Sequence, residues 1–270
     1  MSDYKCINRI GFIGMGNMAQ ALVGGFIKSE KIDSDEIYAY APNQDKLGRN
    51  AEKYGFNACE SVNEVLEKCD SIIIACKPYQ IEGVFAVIDK NLLKGKALIS
   101  VAAGWDYDKY QKHVDETVRV QFIMPNTPAM VSEGVFLFEE KSGLEDVEKE
   151  EWYDLFSSIG LVAELPTNLM GIGGAISGCG PAFVDLFIEA YADAAVKYGI
   201  PRATAYKLIS QTVLGASKLQ LKTGEHPGVL KDNVCSPSGT TICGVAALEK
   251  AGFRSACIES IDAIMNKKTN

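Results

Sequence analysis

The stretch Arg9-Ile10-Gly11-Phe12-Ile13-Gly14-Met15-Gly16-Asn17-Met18-Ala19 decides how the first half of this chain folds. Arg9 to Ile13 reads as a short buried strand, and a glycine turn follows at once. Ala19, Leu22, Val23, Phe26 and Ile27 then recur at helical spacing, so a helix starts near Asn17. In such a strand–turn–helix unit each small residue has a task. Gly14 permits a tight turn, Gly16 lets backbone N–H groups approach a phosphate, and Ala19 lets the helix pack closely on the strand. Free N–H groups and the positive end of the helix dipole favour an anion there. The unit reads as a dinucleotide site, with Gly14, Met15, Gly16, Asn17 and Met18 at the pyrophosphate.

The alternation continues outward. Glu36–Tyr40, Ser71–Ala75, Ala97–Val101 and Val118–Phe122 read as further strands, with helix-like sequence between them. Continuously apolar strands separated by helices predict a parallel sheet covered on both faces. Ligands of such sheets sit beyond the carboxyl ends of the strands. That rule selects Ala41-Pro42-Asn43, Lys77-Pro78, Ala102-Ala103-Gly104 and Met124-Pro125-Asn126. An acid after the second strand would grip ribose hydroxyls and favour NAD. The chain has Tyr40-Ala41-Pro42-Asn43 instead, with Lys46 and Arg49 just downstream. Both cations suit a 2′-phosphate and both suit a solvated helix face. NADP is the expected cofactor and NAD the alternative.

The pattern stops near Pro166. At 270 residues the chain has room for two domains, here 1–165 for the dinucleotide and 166–270 for a helical remainder. The formal charge of −8 speaks against a nucleic-acid surface. No apolar run of membrane-spanning length is read, so no membrane partner is expected. Met1 to Arg9 is charged and lacks a signal-peptide core, and Lys267-Lys268 reads as a frayed tail. Eight cysteines without Cys-x-x-Cys spacing, and only His113 and His226, predict reduced thiols in a cytoplasmic protein and no metal site. His113 falls in a charged segment expected to be exposed, and His226 in a loop.

From Leu169 onward the sequence looks helical. Within Pro181–Tyr198 the charges Asp185, Glu189, Asp193 and Lys197 form one narrow stripe, and the rest is apolar. A helix apolar over most of its circumference belongs inside a protein or a subunit interface, and a domain of this size has little interior. A homodimer, or an assembly built from dimers, is expected. Ala203–Lys222 reads as a second helix stopped by Gly224. Ser236-Pro237-Ser238-Gly239-Thr240-Thr241 precedes a helical run, Ile242–Ala251. It reads either as a well-capped helix start or as an anion site built from N–H groups and hydroxyls.

Together, residues 11–19, Lys77-Pro78, Met124-Pro125-Asn126-Thr127-Pro128-Ala129, Ser177-Gly178-Cys179-Gly180-Pro181-Ala182 and Ser236–Thr241 resemble pyrroline-5-carboxylate reductase from residue 9 to about 265. Many reductases share the first motif; the last two, in this order and distance, are specific. The resemblance implies an α/β fold, a Rossmann-type domain followed by an all-helical dimerisation domain. It implies hydride transfer from NADPH or NADH to the imine carbon of 1-pyrroline-5-carboxylate, giving L-proline. Its pattern puts the substrate carboxylate at Ser236, Gly239, Thr240 and Thr241, with the Thr241 hydroxyl on the ring nitrogen as the catalytic group. It puts Asn233 near the nicotinamide, Lys77, Pro78 and Ala103 along the cofactor, and Ala41, Pro42, Asn43 and Asn63 on the adenosine side. The Ser236–Thr241 segment would come from the partner subunit. Cys179 replaces the family's common serine, and the 41–43 turn lacks its serine and arginine.

Three other readings compete. A membrane-associated helical module would explain the apolar helix, which a dimer explains more simply. A β-hydroxyacid dehydrogenase needs a helical lysine with an asparagine four residues later; Lys197, Lys207 and Lys218 all lack it. A nonenzymatic NADP sensor needs no polar helix start for a substrate.

Overall fold

The computed structural model describes residues 6–267; the charged start before Cys6 and the tail's Lys268 lie outside the described residues. Eight strands form one sheet: β1 (Ile10–Ile13), β2 (Ile37–Tyr40), β3 (Asn57–Ala58), β4 (Ser71–Ile74), β5 (Ala97–Ser100), β6 (Arg119–Met124), β7 (Gly134–Ser142) and β8 (Gly160–Leu165). Their order is β3-β2-β1-β4-β5-β6-β7-β8. All neighbours are parallel except β6 and β7. The chain order reverses beside β1, the switch point at which open α/β sheets bind ligands. Helices α1 (Asn17–Lys28), α2 (Gln44–Tyr54), α3 (Val62–Lys68), α4 (Ile81–Val87), α5 (Lys90–Leu93), α6 (Tyr107–Gln111) and α7 (Asp146–Ser157) connect the strands.

Strands β1, β4 and β5 are buried at every position, as a sheet covered on both faces requires. One core layer centres on Phe156, whose ring lies 5.2 Å from Phe26, 4.9 Å from Phe136 and 5.5 Å from Phe138. The other packs α3, α4 and α6 on the opposite face, around Leu66, Ile72, Ile81 and Tyr110. His113 is not a free surface group. Its ring stacks on Phe85 at 5.3 Å and leans on Trp105, because the segment after α6 folds back onto this layer.

Five more helices follow: α8 (Met170–Lys197), α9 (Arg202–Thr223), α10 (Pro227–Asn233), α11 (Thr240–Lys250) and α12 (Phe253–Met265). The chain divides into two compact units, the first ending at Gly178 and the second beginning at Cys179. Gly224 ends α9 in the left-handed conformation, which glycine adopts without penalty. Helix α8 starts well before Pro181, which sits inside it. Proline has no N–H for the carbonyl four residues back. That carbonyl, on Ser177, accepts instead from the Asn126 side chain at 2.9 Å. The segment Thr167–Lys197 is long and apolar enough to cross a membrane by length and composition, contrary to the sequence reading, because no charge occurs from Thr167 to Val184.

Two predictions follow from the core. Phe156→Ala removes a ring packed against four others, Trp152 among them, and should cost roughly 3–5 kcal/mol, read as a lowered urea midpoint at fixed protein concentration. Burial also pushes the Cys59 and Cys76 thiols up to about 11 and that of Cys69 to about 12, from an ordinary 9.0. The folded chain thus keeps these protons after the unfolded chain has lost them. This contribution to stability is full below pH 9 and is lost as pH rises through 11–12. Urea midpoints measured across that window should fall, and fall less in Cys59→Ser and Cys69→Ser.

Candidate active site

The first unit builds one site around the β1–α1 turn. Gly14 has φ +102°, and its N–H donates to the Tyr40 carbonyl at 2.8 Å. A Cβ there would come within 2.7 Å of the Cys76 nitrogen, so only glycine fits. Gly16 differs: a Cβ on it would meet nothing within 4 Å. It faces open space where a ligand can approach the backbone. Gly16 is also the N-cap of α1, with extended backbone, no side-chain cap and no acid in the first turn. The first-turn N–H groups of Asn17 and Met18 lack intrahelical partners and keep their full positive character. This is the donor set that a pyrophosphate requires.

Two adjoining hollows open here, of about 510 and 450 Å³, sharing Gly16, Ala75, Cys76 and Lys77. The first is lined by Gly14, Met15, Tyr40, Ala41, Pro42, Asn43 and Val62, with Gln80, Gly83, Val84 and Val87 on its far wall. The second is lined by Asn17, Met18, Lys46, Pro78, Ala102, Ala103, Met124 and Pro125. No carboxylate lines either hollow. Asn43 caps α2, its Oδ1 accepting from the Lys46 backbone N–H at 2.9 Å. The cap sets the first turn of α2 so that Lys46 reaches the second hollow; Arg49, most of a turn further along, lines neither.

The structure thus gathers Gly14, Met15, Gly16, Asn17, Met18, Ala41, Pro42, Asn43, Lys77, Pro78 and Ala103 around connected space. Asn63 stands apart. Its amide donates to the Val87 carbonyl at 3.3 Å and accepts from the Asp89 N–H at 2.9 Å, so its polar atoms tie α3 to the end of α4. Its neighbour Val62 lines the hollow instead. The wall from α4 was not legible in the sequence: Gln80 and Gly83 carry no motif, and only the fold brings them opposite the glycine turn. A separate hollow of about 420 Å³, between Ile32 and Leu155, shares none of these residues.

The second unit presents its own polar helix start. Helix α11 begins after Gly239, which has extended backbone and no side-chain cap. The expectation of a well-capped helix therefore fails, and the first-turn donors of Thr240 and Thr241 remain open. Ser238 holds the turn at φ +57°, and the Gly239 N–H donates to the Ser236 carbonyl at 3.0 Å. Ser236, Thr240 and Thr241 are exposed, and so is Asn233 at the end of α10. His226 caps α10, its Nδ1 accepting from the Gly228 N–H at 3.0 Å. Among the described residues no cluster of three or more His, Cys, Asp or Glu side chains is placed to hold a metal ion.

Residues 167–270 match the family model for pyrroline-5-carboxylate reductase dimerisation, and residues 9–104 match that described as NADP oxidoreductase, coenzyme F420-dependent. Pyrroline-5-carboxylate reductase of Escherichia coli strain K12 is 40% identical over 259 residues, 96% of each chain. The solved structure of Plasmodium falciparum pyrroline carboxylate reductase, with NADP bound, superposes with a TM-score of 0.86 at 34% identity, covering 95% of each chain. That from Coxiella burnetii gives 0.87 at 31% identity, covering 98% of this chain and all of that one. With both halves matched and the similarity running nearly end to end, this chain belongs to the pyrroline-5-carboxylate reductase family.

Proposed function

We propose that this chain reduces the imine of 1-pyrroline-5-carboxylate to L-proline, the last step of proline biosynthesis, with NADPH as reductant. The observation that carries the reading is a pair of uncapped helix starts, one after Gly16 and one after Gly239. A dinucleotide and a small carboxylate each need such a donor set. The missing acid at the end of β2, and the absence of any carboxylate from the lining of either hollow, support NADP over NAD.

When bound, the reduced nicotinamide supplies the hydride. The chain's own residues hold and shield. Backbone N–H groups of Gly16, Asn17 and Met18 take the pyrophosphate, and Ala103, Met124 and Pro125 wall off water. Gly239, Thr240 and Thr241 take the substrate carboxylate, with Ser236 beside them. The Thr241 hydroxyl orients the ring nitrogen and stabilises its proton as the amine forms. The substrate brings that proton on its iminium, so no strong acid is required. This agrees with two histidines engaged elsewhere, His113 in aromatic stacking and His226 as a helix cap. We place Asn233 near the nicotinamide, and Lys77 and Pro78 along the cofactor. Ala41, Pro42 and Asn43 lie on the adenosine side in this reading, with Asn63 supporting it through α3.

The same reading makes 1–165 the dinucleotide-binding domain and 166–270 the dimerisation and substrate domain; the dimerisation model begins at residue 167, which supports it. In the second unit only Ala192 and Ala205 are fully buried among the described residues. Leu186, Leu221 and Ile258 are 65%, 73% and 64% exposed. A unit without a core of its own calls for a second copy. A homodimer, or an assembly of dimers, accounts for the apolar face of α8 without a membrane. Eight free cysteines support a cytoplasmic location.

Two experiments decide the matter. The purified protein should consume NADPH on addition of pyrroline-5-carboxylate, faster than NADH at low cofactor, and Thr241→Ala should lower turnover roughly ten-fold or more. An inert wild type sinks the reaction, and an undiminished Thr241→Ala removes that hydroxyl from it. Sedimentation should give a dimer or a multiple of it, and Leu186→Asp should shift it toward monomer; a monomeric wild type overturns the assembly.

A further inference from the structure

We propose that Asn126 is a positioning residue for this reaction, acting through the carbonyl that Pro181 leaves without a helical donor; the role in turnover rests on the proposed function. Asn126 is 5% exposed, and each of its side-chain polar atoms has a partner. Its Oδ1 accepts from the Val135 N–H at 2.8 Å, at the start of β7, and its Nδ2 donates to the Ser177 carbonyl at 2.9 Å. Among the described residues no other side-chain hydrogen bond from outside α8 reaches its Met170–Gly178 part.

The two residues preceding Asn126, Met124 and Pro125, line the second hollow. Met124 also packs against α8 where that helix is smallest. A Cβ on Gly174 would come within 3.2 Å of Met124 Cε, and one on Gly178 within 3.3 Å. The wall of the hollow thus rests on the glycine face of α8, and Asn126 fastens the helix at that level. Helices bend where a proline removes a ladder bond. A donor held by the sheet side, aimed at the freed carbonyl, holds the helix at this level and with it the position of Met124. Shifts of about 1 Å at such a wall are enough to change turnover by large factors.

A double-mutant cycle tests this, because Pro181→Ala restores an N–H that can serve Ser177 from within the helix. Asn126→Ala should lower kcat about ten-fold, with the KM for NADPH changed less than about three-fold, as for lost alignment rather than lost binding. With deuterated NADPH its isotope effect on kcat should rise. In the Pro181→Ala background the same substitution should cost about three-fold or less, the part that belongs to Val135. Hydrogen exchange of the cofactor-free protein should quicken at the amides after Ser177 in Asn126→Ala and return toward wild type in the double variant. If Asn126→Ala does not fold, Asn126→Ser, which is too short to reach Ser177, replaces it. Equal losses in both backgrounds, or unchanged exchange in Asn126→Ala, overturn the proposal. A wild type without activity overturns the reading of the reaction, while exchange still decides whether Asn126 serves the freed carbonyl.

Discussion

The first unit depends on one backbone crossing, at Gly14. Its N–H bonds the end of β2 through Tyr40, while Ala75 donates to Ile13 at 2.9 Å and Val101 to Ile74 at 3.0 Å. These bonds align the carboxyl ends of β2, β1, β4 and β5 on one edge. The alignment is close enough that a side chain at Gly14 would strike the Ala75–Cys76 peptide. Ala41 to Asn43, Lys77 and Ala103, which line the two hollows, follow from that edge. The uncapped start of α1 points its donors into the same space, so packing and electrostatics converge there.

The second unit obeys a different constraint. Its helices are long and regular, yet they bury little against each other. Helix formation satisfies the backbone, but an apolar surface left in water keeps its hydration cost. The unit's small interior cannot remove that cost alone. The helices are therefore adapted to association, in keeping with the dimerisation model that matches them. The start of α8, Gly174 and Gly178 included, belongs to the first unit, where Met124 approaches its backbone closely.

The sequence was legible where one local rule dominated. The strands around β1 could be placed within a residue or so because all were continuously apolar. Gly224 was readable as a stop because a left-handed end demands it. Strands β3, β7 and β8 were not read as such, since β3 has two residues, β7 mixes buried Phe136 and Phe138 with a buried Glu139 and β8 lies half-buried at the edge. Glu139 is tolerated because the Tyr107 N–H and the Thr167 hydroxyl donate to it, partners distant in sequence. Pro181 sits in a helix interior, and the compensating donor from Asn126 is not legible in the sequence.

By itself the sequence determined the fold class, the glycine turn at residues 14–16, the helical second half and the motifs that mark the family. These follow from periodicity and from steric limits that act within a few residues. Only the tertiary structure decided that Gly239 starts α11 without a side-chain cap, that Lys46 rather than Arg49 reaches the hollow, and that Asn63 spends its amide on Val87 and Asp89. It also decided that the asparagine of one motif serves the carbonyl freed by the proline of another. The physical reason is common to all of these. Hydrogen-bond partners and cavity walls are set by which elements the sheet brings together, and that information is not local to any stretch of the chain.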